Sequence, residues 1–202
     1  MLEALTVAAI LAARPAERPV VDEACFARYE QAKGLPPGVL RAIARVESGL
    51  NPLAVNAANR NGTTDMGLMQ INSIHIPRLQ AAGWTAASWW NPCKSIAAGA
   101  GVLRAGFDAG GGIIQALSRY NTGRGDSPVG LAYAARVLAA KADGGGGGAA
   151  VAAAVPVLVQ AKRSGFSPMG WGGGGAAGAA VADAAAGAVV AGPFTPLGWR
   201  MR

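Results

Sequence analysis

The chain has 202 residues and a formal net charge of +7, and 51% of its residues are hydrophobic. This length accommodates one ordinary domain and an additional segment. The hydrophobic share overstates the core, because much of it is alanine and the 30 glycines crowd toward the C-terminal end. The arginines are scattered singly and are not interleaved with aromatic residues. The charge therefore suits acidic polymers or anionic surfaces, and we expect no nucleic-acid partner.

Residues 1–20 contain an apolar stretch of the length found in signal peptides. Glu3 stands where a basic residue normally precedes such a stretch. We interpret the segment as an atypical leader of an exported, periplasmic protein. Two alternatives are a true start further upstream and a short helix.

Two cysteines, Cys25 and Cys93, lie far apart in the sequence, and His75 is the single histidine. A zinc site needs at least three protein ligands, so we expect no metal, and nothing in the sequence implies another cofactor. A disulfide formed in an oxidising compartment is the favoured interpretation of the cysteines. Two reduced, buried thiols are the alternative.

Residues 21–142 have the pattern of a compact, mainly helical unit. Apolar spacing predicts a first helix over 22–33, which Gly34 ends. Pro36 and Pro37 are expected to start a second helix, which ends at Gly49. Glu47 then lies in the last turn of that second helix.

Glu47 is badly placed for an ordinary surface carboxylate. A helix C-terminus carries partial negative charge, which disfavours the ionised side chain and raises its pKa. Burial among apolar groups would raise the pKa further, so that the acid could stay protonated near neutral pH. A protonated carboxylic acid is what cleavage of a glycosidic bond requires.

A second segment of interest covers 65–72, approached by a turn-rich stretch. Gly67 would let another backbone come close, and Gln70 and Asn72 offer donors and acceptors suited to sugar hydroxyls and N-acetyl groups. Asp65 is a candidate for a second catalytic carboxylate. It precedes a run with helical spacing, so helix capping or loop anchoring is the favoured alternative.

Further along the chain, Tyr120 and Asn121 end a helical run before the glycine turn at Gly123. Ser127 and Pro128 are a typical N-cap and first residue for the following helix, which carries Tyr133. Asp143 is followed by an unbroken glycine run at 144–148, and residues 143–202 form a Gly/Ala-rich linker and tail, which we expect to be disordered or extended. Its apolar stretches are too short and interrupted to span a bilayer, so no transmembrane span is expected.

Three segments, at 47–52, 67–72 and 120–123, resemble in order and spacing the soluble lytic transglycosylase family of the lysozyme-like superfamily. The positions of Cys25 and of Asn91-Pro92-Cys93 resemble its specialised members, which open the cell wall for conjugation, secretion or pilus machines. The resemblance covers about 21–140. It implies a mainly α, lysozyme-like α+β domain.

The resemblance also implies roles for individual residues. Glu47 looks like the catalytic acid and base, and Ser48 is its neighbour in the motif. The remaining matched positions would bind the glycan; they are Gln70, Asn72, Tyr120, Asn121 and Tyr133.

The implied reaction is cleavage of the β-1,4 bond between N-acetylmuramic acid and N-acetylglucosamine in peptidoglycan, with formation of 1,6-anhydromuramoyl ends. Implied partners are glycan strands and components of an envelope-spanning machine, and we expect a monomer. One alternative is a lysozyme-type hydrolase, which would use two carboxylates. The other is a glycan-binding assembly protein without catalysis.

Overall fold

The computed structural model describes residues 4–59 and 62–144. The described part of the chain is mainly helical and has one small antiparallel sheet with the strand order β1-β2-β3, as the sequence predicts. The helices are α1 (Val7–Ala12), α2 (Glu23–Ala32), α3 (Val39–Ser48), α4 (Ile76–Ala81), α5 (Pro92–Asp108), α6 (Gly112–Thr122) and α7 (Pro128–Gly144). The strands are β1 (Val55–Asn56), β2 (Asp65–Met66) and β3 (Ile71–Asn72), and 3-10 turns cover Ser73–His75 and Ala86–Trp90.

A disulfide between Cys25 and Cys93 joins α2 to the first turn of α5, with 5.6 Å between the Cα atoms. The two cysteines are 68 positions apart in the sequence, and the loop between them contains α3 and the whole sheet. Closing a loop of this length restricts the unfolded chain, which favours the folded state. The predicted disulfide is confirmed, and the alternative of two reduced thiols is wrong.

The second predicted helix begins later than its sequence suggests. α3 starts at Val39, whereas Pro36 and Pro37 belong to a turn that ends at Gly38 in the left-handed region, with φ of 78°. The buried carboxylate of Glu30, on α2, accepts hydrogen bonds from the amides of Gly38 (2.8 Å) and Leu40 (2.9 Å). These amides have no partner within their own helix, so a carboxylate from a neighbouring helix caps α3.

The run after Asp65 was expected to be helical, and this expectation is wrong. β2 is followed by a turn over 67–70 and then by β3, with Met66 paired to Ile71. Gly67 has φ of 80° and Gln70 has φ of 48°, values that a right-handed helix excludes. Gly67 also packs directly on a neighbouring backbone, since a Cβ there would lie 2.6 Å from the Trp89 carbonyl oxygen. The close approach predicted for Gly67 is confirmed.

Helix α6 packs against both α5 and α7, and α7 also packs against α3. α6 ends at Thr122 with Gly123 beyond it, and α7 starts at Pro128. These boundaries confirm the sequence prediction. Together they bring Tyr120 and Tyr133, both fully buried, into a stack with ring centroids 6.2 Å apart.

The first 20 residues include the short helix α1, capped by the Thr6 side chain. The short-helix alternative is therefore what the structure contains, and the leader role stays a prediction. No helix within the described ranges is long and apolar enough to cross a membrane. The tail predicted over 143–202 lies outside the described residues, except for its first two, which end α7.

Candidate active site

Glu47 lies in the last turn of α3, as predicted, directly before Ser48 and the left-handed residue Gly49. Its Oε1 accepts a hydrogen bond of 2.6 Å from the Tyr133 hydroxyl on α7. Oε2 is buried and has no hydrogen-bond partner within 4–59 and 62–144. The residue as a whole keeps part of its surface exposed. The carboxyl group is thus held at one oxygen and left unsatisfied at the other.

The pKa of Glu47 is raised from 4.5 to about 8, chiefly because burial penalises the charged form. The hydrogen bond from Tyr133 opposes this effect, the negative charge of Asp65 adds to it, and the positive charge of Arg136 opposes it. A carboxyl group with this pKa is mostly protonated at pH 7. The sequence-based expectation of a raised pKa is confirmed, with desolvation as its main cause.

The two stacked tyrosines form the wall beside Glu47. Burial raises the pKa of Tyr120 and of Tyr133 well above 10. Both therefore remain phenols at neutral pH, and Tyr133 can donate its proton to Glu47 in a hydrogen bond. The Tyr120 hydroxyl donates a long hydrogen bond of 3.4 Å to the Met69 carbonyl oxygen, which ties α6 to the 67–70 turn.

Ser48 connects the end of α3 to the same turn. Its hydroxyl lies 2.7 Å from the Leu68 carbonyl oxygen and 3.0 Å from that of Ala44, and it accepts a hydrogen bond from the amide of Asn51. The side chain therefore fixes the backbone on both sides of Glu47's helix end. Its predicted role in substrate binding stays a prediction.

Gln70 and Asn72 lie at the end of the turn and on β3, and both are buried. The Gln70 amide donates to the carbonyl oxygens of Gly67 (2.9 Å) and Ala54 (3.2 Å). The Asn72 amide donates to Asp65 (2.7 Å) and Thr63 (2.8 Å), and its oxygen accepts from the amide of Ile74. In this structure both amides hold the backbone of the turn, and their roles as glycan ligands remain predictions.

Asp65 is fully buried on β2 and accepts hydrogen bonds at both carboxylate oxygens. The donors are the amides of Asn72 (2.7 Å), Asn59 (2.9 Å) and Asn56 (3.4 Å). Helix capping is excluded as its role, because no helix follows it. The geometry is that of the loop anchor considered as an alternative, and the role of a second catalytic carboxylate stays a prediction.

One predicted site residue, Asn121, and one residue that the sequence analysis did not single out, Arg136, remain to be placed. Asn121, buried at the end of α6, follows Tyr120. The exposed Arg136 holds its guanidinium 5.6 Å from the centre of the Tyr133 ring. Sequence reasoning missed Arg136, although its position three residues after Tyr133 on one helix puts both side chains on the same face.

In the described ranges, one group of potential metal-ligating residues lies close together. It consists of Asp22, Cys25 and Cys93, whose ligand atoms lie within 4.8 Å of one another. Both sulfur atoms belong to the disulfide, so they are not available as thiolate ligands. The cluster therefore does not fit a zinc ion.

Comparisons with known proteins point to one family. Residues 24–136 match the family model described as "Transglycosylase SLT domain". The chain is 37% identical over 100 residues to "Invasion protein IagB" of Salmonella typhimurium, and the aligned region covers 49% of this chain and 62% of the relative. It is 36% identical over 100 residues to "Protein IpgF" of Shigella flexneri, with 49% of this chain and 65% of the relative covered.

A further relative is "Protein virB1" of Agrobacterium fabrum, which is 34% identical over 128 residues, covering 48% of this chain and 50% of the relative. The chain thus spans less than two thirds of the length of these curated relatives. The matched region 24–136 contains Glu47, the 67–72 segment, the tyrosine pair and both cysteines. Because the family model covers more than half of its residues, the chain belongs to the transglycosylase SLT domain family.

Proposed function

We propose that this protein is a peptidoglycan lytic transglycosylase that cleaves the β-1,4 bond between N-acetylmuramic acid and N-acetylglucosamine. The observation that carries the proposal is Glu47, a carboxylic acid whose pKa is raised to about 8 and whose Oε1 is held by Tyr133. A general acid works best when its pKa lies near the working pH, because it is then protonated and still able to release its proton.

The first step uses Glu47 as an acid. Since Oε1 accepts the hydrogen bond from Tyr133, we assign the transferred proton to Oε2. This proton moves to the glycosidic oxygen as the bond from that oxygen to C1 of the muramoyl residue breaks. The departing sugar leaves as an alcohol, and the N-acetyl group of the substrate stabilises the positive charge at C1.

The second step uses the same residue as a base. The carboxylate of Glu47 takes the proton from the muramoyl C6 hydroxyl, whose oxygen then bonds to C1 and closes the 1,6-anhydro ring. Glu47 ends the cycle protonated, and no water is consumed. The hydrogen bond from Tyr133 stabilises the intervening carboxylate, since it favours the charged form.

The environment of Asp65 supports this reaction over hydrolysis. A hydrolase of the lysozyme type uses a second carboxylate as base or nucleophile. Both oxygens of Asp65 already accept hydrogen bonds from asparagine amides inside the sheet region. One carboxyl group that serves twice suits a reaction in which the substrate's own hydroxyl replaces water.

We also propose that the protein acts outside the cytoplasm, in the service of an envelope-spanning machine. The disulfide supports an oxidising compartment such as the periplasm. The positions of Cys25 and Cys93, which resemble those of family members that open the cell wall for conjugation, secretion or pilus machines, support the second part of this proposal, and one relative is named an invasion protein. Peptidoglycan strands are the proposed substrate and partner.

The test is digestion of purified peptidoglycan by the wild-type chain and by Glu47→Gln, followed by mass spectrometry of the soluble fragments. We expect fragments that are lighter by one water than products with reducing ends. We expect Glu47→Gln to release them roughly 1,000-fold more slowly than the wild-type chain, or not at all. Glu23→Gln is the matched control, because Glu23 is an exposed glutamate at the start of α2 and its ion pair with Arg41 is exposed to solvent. Reducing-end products would indicate a hydrolase, and binding without soluble fragments would indicate a non-catalytic glycan-binding protein.

A further inference from the structure

Residues 5–18, here called the N-terminal arm, are attached to the domain at several points. Ile10 of α1 is fully buried, and its carbonyl oxygen accepts a hydrogen bond of 2.9 Å from the Trp90 indole. The amide of Leu5 donates to Gln80 at 3.0 Å. The arm lies outside the residues 24–136 that match the family model.

Two arginines of the arm bind one particular loop. Arg14 donates to the Leu53 carbonyl oxygen at 2.7 Å and lies over the Trp90 ring at 5.8 Å from its centre. Arg18 donates to the Leu50 carbonyl oxygen at 2.5 Å. Both acceptors belong to residues 49–54, here called the post-Glu47 loop, which begins two residues after the acid.

The conformation of this loop is not one that its sequence favours by itself. Leu50 has φ of 62°, in the left-handed region that side chains other than glycine rarely adopt. Such residues persist only where the surrounding structure determines their conformation. The bond from Arg18 holds the carbonyl group of this residue, so it is one of the contacts that do so.

The post-Glu47 loop in turn supports the site. The amide of Asn51 donates to the Ser48 hydroxyl, which also contacts the Leu68 carbonyl oxygen. The Ala54 carbonyl oxygen accepts hydrogen bonds from the amide of Gly67 (2.9 Å) and from the side chain of Gln70 (3.2 Å). A continuous set of contacts therefore runs from the arm, through the loop, to the helix end that carries Glu47 and to the 67–70 turn.

We propose that Arg14 and Arg18 are positioning residues for the reaction and that the arm stays attached as a working part of the catalytic domain, in place of the leader role predicted for residues 1–20 from the sequence. They act through the post-Glu47 loop and do not touch the substrate. This inference rests on the proposed function for its catalytic readout.

The test compares the double variant Arg14→Ala/Arg18→Ala with a matched double variant, Arg28→Ala/Arg124→Ala. The control also removes two exposed positive charges, and the ion pair of Arg124 with Asp126 is too exposed to add much stability. We expect the arm variant to lose roughly 10-fold in kcat with little change in KM, because the acid is misplaced while glycan contacts remain. The control should stay within about 2-fold of the wild-type chain.

Hydrogen exchange gives a readout that does not depend on activity. The amides of the post-Glu47 loop donate to backbone or side-chain oxygens of 44–51, and loosening the loop should expose them. We expect exchange about 10-fold faster in the arm variant than in the control, confined to this loop. The amides to be followed are those of Leu50, Asn51, Leu53 and Ala54.

The outcomes are distinct. Unchanged kcat, or reduced kcat with unchanged exchange in the loop, overturns the inference. If the double variant does not fold, Arg18→Ala alone is used, since Arg18 is exposed and has one hydrogen bond to lose. If the wild-type chain releases no fragments, the proposed function fails, and the exchange experiment still decides whether the arm holds the loop.

Discussion

The buried acid Glu47 should make the folded protein less stable as the pH rises, and Glu47→Gln should remove that effect. Below pH 4.5 the side chain is protonated in both the folded and the unfolded chain, so its raised pKa has no effect on stability. Between pH 4.5 and about 8 the unfolded chain loses the proton while the folded chain keeps it. The free energy of unfolding therefore falls across this window and levels off above it.

The size of the effect follows from the pKa. A rise from 4.5 to about 8 corresponds to an upper limit of about 5 kcal/mol. Because the residue keeps part of its surface in contact with solvent, screening reduces this limit, and we expect a loss of roughly 2–3 kcal/mol. For a domain of this size each kcal/mol corresponds to about 4 °C in Tm. The difference in Tm between Glu47→Gln and wild type should grow by about 8–12 °C from low to high pH.

The measurement is thermal unfolding by circular dichroism of the wild-type chain, Glu47→Gln and the exposed control Glu23→Gln, at intervals from pH 4 to pH 9. A difference in Tm between wild type and Glu47→Gln that is the same at every pH does not bear on the prediction, because the amide packs differently from the acid. The prediction concerns how this difference in Tm changes with pH. Parallel curves for all three proteins would refute the assignment of a strongly raised pKa to Glu47.

Three further predictions concern the contacts around the site. Tyr133→Phe removes the hydrogen bond that lowers the pKa of Glu47, so the alkaline limb of the plot of kcat against pH should move to higher pH. We also expect kcat to fall roughly 10-fold, because the acid is held less well in place. An alkaline limb that stays in place or moves to lower pH would contradict this prediction. Cys25→Ser/Cys93→Ser should lower the free energy of unfolding by about 2–4 kcal/mol in urea titrations, and reductant should then affect wild type alone. Asn72→Ala leaves the buried carboxylate of Asp65 and the amide of Ile74 without the hydrogen bonds from Asn72, and should lower the free energy of unfolding by about 2–3 kcal/mol in the same titration. A decrease of less than about 0.5 kcal/mol would argue against the role of Asn72 in holding the turn.

Local signals were sufficient for part of the fold. The end of α3 at Gly49, the end of α6 at Gly123 and the start of α7 at Pro128 follow from residues at the boundary itself. The apolar spacing of α3 puts Glu47 in its last turn without knowledge of any contact. These predictions are confirmed because capping and termination depend on a few neighbouring residues.

Other features depend on contacts between distant residues and have no local signal. α3 begins at Val39 because Glu30, on another helix, caps it. The segment after Asp65 has helical spacing of apolar residues, yet its backbone turns at Gly67, which has φ of 80° and packs on the distant Trp89 carbonyl group. Periodicity alone does not separate a short helix from two short strands joined by a turn.

The surroundings of Glu47 explain how one carboxyl group could serve both steps of the proposed reaction. Burial by itself favours the neutral acid and would make the later carboxylate costly to form. The hydrogen bond from Tyr133 and the positive charge of Arg136 act in the opposite direction, since both lower the pKa. The balance leaves the pKa at about 8, close to neutral pH, where releasing and regaining a proton have similar free energies. A group tuned in this way needs no second carboxylate, provided that the substrate supplies both the leaving oxygen and the attacking hydroxyl.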